Sequence, residues 1–269
     1  MILHVDHVTR YAYDAPVRGV VQSHRLHPSS FDGQRVIDWA VTVEGGVPGG
    51  AFRDGAGDLV RGWSVRGPVT AIEVRVRGAV ETADTAGVLR GHRETVPPRS
   101  YLRSTRRTRA DAALAALGEA VAARDGLDLA HGLARGVSAA IAYRPGETDA
   151  GTTAAEALAL GRGVCQDHAH ALIAAARAQG VPARYVSGYL HASADGVPHE
   201  AAHAWAELWV AGIGWVGFDP ANGCCPDERY VRLGSGLDAE GAAPIRGTAR
   251  GAGREHLDVA VAVTTAQQQ

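Results

Sequence analysis

Cys165 lies in Gly161-Arg162-Gly163-Val164-Cys165-Gln166-Asp167-His168-Ala169-His170, where a glycine-punctuated approach runs into an alanine-rich apolar stretch. That pattern predicts a helix beginning at the cysteine, with unpaired backbone N–H groups and the helix dipole suiting an anionic sulfur. A cysteine nucleophile needs a base for its proton, and the base needs a partner that fixes its tautomer. His203 opens the strand-like run His203-Ala204-Trp205-Ala206-Glu207-Leu208-Trp209, and Asp219 closes Trp215-Val216-Gly217-Phe218-Asp219. Gly212 and Gly214 supply a turn between the runs, so a hairpin would bring the start of one beside the end of the next, and His203 close to Asp219. Pro220 biases Asp219 toward the extended backbone of a strand end.

Other residues compete for roles near this set. Asn222 is an alternative orienter for His203, but Asp219 ends the strand while Asn222 falls in the following turn. Gln166 is a candidate pocket residue, with the Cys165 backbone N–H the simpler oxyanion donor. Cys165, His168 and His170 have a superficial look of metal ligation, yet Cys-x-x-His-x-His lacks a second ligand pair at zinc spacing, so no metal is expected. His168 and His170 then read as packing or hydrogen-bonding groups behind the site. Trp205, Trp209 and Trp215 read as core, and Cys224 and Cys225 are given no catalytic role. His4, His7, His24 and His27 are scattered and read as ordinary surface or strand residues.

Positioning those groups needs a helix packed on a sheet. The first hundred residues read as short antiparallel strands. Leu3 to Tyr13 stops at Asp14-Ala15-Pro16. Val36 to Val43 is a run whose Ile37, Trp39, Val41 and Val43 share a face, and Ala71 to Arg77 sets Ile72, Val74 and Val76 against Glu73, Arg75 and Arg77. Such strands suggest a small β-sandwich. Pro97-Pro98 marks a linker, after which the pattern turns helical. Ala112 to Ala123 follows a polar cap, Asp128 to Tyr143 carries Leu129, Leu133, Val137 and Ile141 on one face, and Thr153-Ala154-Ala155-Glu156 is a capping box whose helix Gly161 ends. The Cys165 helix runs to about Gln179-Gly180. Strands then return at Ala183 to Leu190, His203 to Val210, Trp215 to Asp219 and Arg229 to Leu233. A glycine-rich stretch from Gly234 to Gly253 precedes a last strand, Leu257 to Thr264, and the glutamine tail is expected to fray. The expected fold class is α+β, with an N-terminal β-sandwich over residues 1–98 and a catalytic domain over residues 99–269.

Composition narrows the function classes. The 269 residues are 46% hydrophobic and 21% charged, with a formal net charge of −2, which gives no global case for nucleic acid or an anionic membrane as partner. The N-terminus lacks a signal-peptide pattern, and no apolar run is long enough to span a bilayer. Two of the three cysteines are adjacent, a poor disulfide framework, so reduced thiols and a cytoplasmic location are expected.

Gly163-Val164-Cys165-Gln166-Asp167, Val181-Pro182-Ala183-Arg184-Tyr185-Val186-Ser187-Gly188-Tyr189, His203-Ala204-Trp205-Ala206-Glu207 and Gly217-Phe218-Asp219-Pro220-Ala221-Asn222-Gly223 resemble the bacterial transglutaminase-like family in content, order and spacing. The N-terminal β region and Asp149-Ala150-Gly151-Thr152-Thr153 resemble its two-domain members. The resemblance implies a papain-like core in which Cys165 is nucleophile, His203 base and acid, and Asp219 the residue orienting His203. It implies acyl transfer on glutamine carboxamide or peptide carbonyls of a protein or peptide substrate, through a thioester. Water as acceptor would make the protein a peptidase or amidase, and a non-catalytic peptide-binding module on the same fold is the alternative of a different class. Animal relatives use calcium; without an acidic loop of the EF-hand type, no calcium dependence and no cofactor are expected here. Oligomeric state is open.

Overall fold

Two strands of 23 and 24 residues, β1 (Ile2–His24) and β4 (Leu59–Thr82), form the spine of the N-terminal half. They pair antiparallel from Ile2↔Glu81 to His24↔Arg61. The computed structural model describes residues 1–123, 125–191 and 202–265; the glutamine tail, expected to fray, lies outside the described residues. Strands β2 (Gln34–Val43) and β3 (Gly46–Arg53) pair with opposite ends of β4. The expected turn at Asp14-Ala15-Pro16 is instead an irregularity within β1, where the register shifts between Ala12 and Val17. A proline lacks the ladder N–H, and a register shift lets the strand continue past it. Ile72, Val74 and Val76 are buried, as the alternation in β4 predicts, whereas Ile37 is exposed because a second register shift between Val36 and Asp38 breaks the alternation.

Helix α1 (Ala112–Glu119) is capped by Asp111, whose carboxylate accepts from Leu114 N–H at 2.9 Å. Helix α2 (Gly126–Ala140) buries Leu129, Leu133 and Val137, and its cap residue Ile141 continues the same stripe. A capping box of Thr153 and Glu156 starts α3 (Ala154–Leu160), and Gly161, at φ 65°, ends it in the left-handed region. Two-residue strands β5 (Ala142–Tyr143) and β6 (Arg162–Gly163) pair in parallel, tying the end of α2 to the approach to Cys165. Helix α4 (Cys165–Ala178) follows and is buried from Asp167 to Arg177. A helix apolar or small on every side belongs in the centre of a domain.

The second sheet is antiparallel in the order β10-β7-β8-β9, from β7 (Ala183–Leu190), β8 (Ala202–Val210), β9 (Gly214–Phe218) and β10 (Tyr230–Gly236). Every residue of β7 is buried, since the sheet is covered on both sides. Tyr185, Ala206 and Leu208 join α4 in one core, while Tyr189, Val231 and Leu233 join Leu3, Val74 and Val76 of the N-terminal sheet in another. The chain's end departs from the expected division at residue 98. Strand β11 (Ile245–Arg250), hidden within the glycine-rich stretch, and β12 (Glu255–Thr265) both return to pair with β1. The N-terminal β region is therefore one hydrogen-bonded antiparallel sheet of six strands, completed by residues far away in sequence.

Buried charge links the two halves. The Glu207 carboxylate of β8 accepts from Arg184 Nε at 2.6 Å and Arg232 Nε at 2.8 Å. Arg232 reaches on to Asp58 at 2.9 Å and Ser29 at 2.6 Å, and Arg184 pairs with Glu94 and lies 4.1 Å over the Trp215 ring. Burial alone would raise the Glu207 pKa, but the two guanidinium groups outweigh it and hold the carboxyl at about 2.

Candidate active site

Cys165 is the first residue of α4, and the start of that helix is held from three directions. Asp167 accepts from Val164 N–H at 2.8 Å and from the Thr148 hydroxyl at 2.6 Å, clamping the turn before the cysteine. Gly163 fits against that carboxylate; a Cβ there would sit 2.6 Å from Asp167 Oδ2. The His168 ring bridges Val164 O at 2.9 Å and Ile141 O at 2.8 Å, fastening the start of α4 to the end of α2. His170 is wholly buried, accepts from Ala239 N–H at 3.0 Å and is kept neutral because burial lowers its pKa to about 4. Both histidines are thus hydrogen-bonding groups behind the helix start. Among the described residues no cluster of three His, Cys, Asp or Glu side chains is placed to hold a metal ion.

The β8–β9 hairpin sets the other two groups. Continuing the register Ala206↔Phe218 by one pair puts Asp219 opposite Trp205, and His203 two residues further along on the same face. His203 Nε2 lies 2.6 Å from Asp219 Oδ2, and Cys165, at the start of α4, is near enough to act on the ring's charge. With Nε2 engaged by Asp219, Nδ1 is the nitrogen left to exchange a proton with a nucleophile. Burial by itself would lower the His203 pKa; the hydrogen bond to Asp219 and the charge of that carboxylate, with a further contribution from Cys165, reverse that and carry it to about 10. The imidazole is therefore an imidazolium at neutral pH, donating from Nε2 to Asp219.

Asp219 is buried and heavily solvated by protein donors. Its Oδ2 accepts from His203, from Asn222 Nδ2 at 2.6 Å and from the Tyr230 hydroxyl at 2.8 Å; its Oδ1 accepts from Ala221 N–H at 3.1 Å and Asn222 N–H at 3.3 Å. Burial would raise its pKa, but these bonds prevail and keep it below the usual aspartate value. A backbone bridge between Asp219 and Cys224 closes the loop beneath it. Asn222, the alternative orienter, comes within 3.4 Å of His203 Nε2, but both atoms are donors aimed at the same Asp219 oxygen. It supports the aspartate.

Tyr230 is the site residue that sequence reading missed. It opens β10, a strand whose pairing with β7 no local signal reveals, and its ring packs edge-on to Trp205 at 5.5 Å while its hydroxyl touches Asp219. Cys224 Sγ lies 3.3 Å from that hydroxyl, which ties one of the two spare cysteines to the network. Burial raises the Cys224 pKa and pushes Cys225 to about 11, so both are protonated thiols at neutral pH. Trp205 flanks His203, whereas Trp209 and Trp215 pack together and Trp215 carries Arg184. Gln166 makes no side-chain hydrogen bond among the described residues.

Comparison with known proteins gives the family. Residues 3–81 match the bacterial transglutaminase-like N-terminal region and residues 115–220 match the transglutaminase-like superfamily. An uncharacterised protein of Mycobacterium leprae is 31% identical over 97% of this chain and 98% of its own. An uncharacterised Mycobacterium tuberculosis protein is 40% identical over 116 residues, 39% of this chain and 36% of that one. A solved structure from Cytophaga hutchinsonii, described as a candidate cysteine protease, superposes with a TM-score of 0.74 at 20% identity, covering 100% of this chain and 92% of the other. The chain belongs to the transglutaminase-like superfamily, with the bacterial N-terminal region ahead of its core.

Proposed function

We propose that this cysteine enzyme transfers acyl groups from amide carbonyls of a protein or peptide through a thioester on Cys165. The observation that carries the reading is the buried His203–Asp219 pair, joined at 2.6 Å and electrostatically coupled to Cys165 at the start of α4. Cys165 Sγ attacks the carbonyl carbon while its proton resides on His203 Nδ1. The Cys165 backbone N–H, one of the first-turn donors without an intrahelical acceptor, faces the developing oxyanion. As the C–N bond breaks, His203 returns the proton to the departing amine, and Asp219 holds the ring in place throughout. An incoming amine then takes the acyl group from sulfur, giving up a proton to His203; water in its place gives hydrolysis.

The three unpaired cysteines support a reducing, cytoplasmic setting. No helix among the described residues is long and apolar enough to cross a membrane. Incubation with a glutamine-containing peptide library and a labelled primary amine tests the reading. Amine incorporation that disappears in Cys165→Ala is the expected result, and cleaved or deamidated products without incorporation would overturn transfer in favour of hydrolysis.

A further inference from the structure

A cavity of about 350 Å3 opens between α2 and the loop that follows β9. It is separate from the reacting sulfur: neither Cys165 nor His203 lines it, but Asp219 does. Asp219 thus belongs both to the cavity lining and to the hydrogen bond that holds His203. The same helix α2 runs on to Ile141, whose carbonyl His168 ties to the start of α4.

Its chemistry is uneven in an informative way. The loop side contributes Phe218, Pro220 and Cys225, a mainly apolar floor. On α2, Arg135 stands four residues after His131 and three before Ser138, a spacing that places guanidinium, imidazole and hydroxyl on one helix face. Arg135 is exposed at the cavity mouth and makes no ion pair with any described residue, so its guanidinium is free to meet a ligand, whereas the buried Arg184 and Arg232 are ion-paired. The acid in the lining, Asp219, already accepts from His203, Ala221, Asn222 and Tyr230. A volume within the usual range for ligand pockets, an apolar floor and one unpaired guanidinium suit a short aliphatic group ending in a carboxylate. A phosphate dianion would call for more than one cation.

We propose that this cavity is a subsite for a carboxylate on the acyl-donor chain, borne by an acidic side chain or by the chain's own C-terminus. The inference rests on the reading of Cys165 as nucleophile, and the experiment separates the two. Peptide chloroacetamides of one scaffold would be compared as alkylators of the full-length protein: an uncharged probe, probes with glutamate one, two or three residues from the warhead, and a probe with a free C-terminal carboxylate. The expected result is alkylation of Cys165 by the uncharged probe and about tenfold faster alkylation by a carboxylate probe at one spacing, the size of a charge-assisted hydrogen bond. Arg135→Gln should abolish that gain and leave the uncharged probe's rate within about twofold. Ala139→Leu, which fills the cavity but keeps the arginine, should abolish it as well. The probe that gains identifies side chain or chain terminus. Equal rates for all probes, or a gain that survives both substitutions, would overturn the subsite. If no probe alkylates Cys165, the nucleophile reading falls. The subsite is then decided by anisotropy of a fluorescent glutamate peptide, whose tighter binding than its glutamine counterpart must vanish in Arg135→Gln.

Discussion

Replacing Asp219 by Asn should change the charge state of His203 more than any other single substitution. In the native protein the His203 pKa stands at about 10 against an ordinary 6.5, despite burial that pulls it down. A difference of that size corresponds to about 5 kcal/mol favouring the imidazolium, shared between Asp219 and Cys165. The sign follows from proton linkage. A raised folded-state pKa contributes stability that is complete below 6.5 and is lost as pH rises through 10, at about 1.4 kcal/mol per pH unit. In Asp219→Asn the carboxylate charge is gone and burial regains weight, so the His203 pKa should fall by at least about two units. The assay is NMR titration of protein carrying 13C-labelled histidine, with the His203 Cε1–H signal identified by its absence in His203→Gln. The native signal should stay at the imidazolium position past pH 9. A native His203 that titrates between pH 6 and 7, or one unchanged by Asp219→Asn, would refute the reasoning.

Three further outcomes follow from named contacts. Tyr230→Phe removes one donor from Asp219 Oδ2 and keeps the ring against Trp205, so turnover should drop by about fivefold with KM unchanged, as steady-state kinetics would show. His7, His24 and His170 are buried with pKa values lowered to about 4, so only the unfolded chain binds their protons between pH 6.5 and 4. The stability they lend is complete above 6.5 and declines on acidification by up to about 3 kcal/mol each, which urea denaturation from pH 7.5 to 5 would detect. Glu207→Gln leaves two buried guanidinium groups without their shared carboxylate and should cost about 3–5 kcal/mol, read as a lowered urea midpoint.

Local chemistry made much of this site legible. Thr153 with Glu156, Gly161 at the end of α3, and the apolar stripe from Leu129 to Ile141 each act within a turn or two, and each is where the residue pattern places it. The closeness of His203 to Asp219 follows from a hairpin of few residues. What escaped was set by contacts between distant segments. β11 and β12 pair with β1 across more than two hundred residues, and their glycines and short alternations look like those of a loop or of a free sheet edge. The network of Arg184, Glu207 and Arg232 is complete only once the N-terminal half supplies Asp58, Ser29 and Glu94, which no local pattern announces. Tyr230 escaped for the same reason, because its role exists only once β10 lies beside β7. His7, read as an ordinary strand histidine, hydrogen-bonds Tyr189 at 2.7 Å and so joins the two sheets.

The central claim, that Cys165 is the activated nucleophile, is tested most directly by letting the three cysteines compete for a limiting amount of iodoacetamide at pH 7 and locating the label by peptide mass spectrometry. Cys165 sits at a helix start against His203, whereas burial raises the pKa of Cys224 and holds Cys225 at about 11. Label should accumulate on Cys165 first, faster than on a model thiol, and the rate should fall in His203→Gln. Label spread evenly over the three cysteines, or reaching Cys224 and Cys225 before Cys165, would contradict the account.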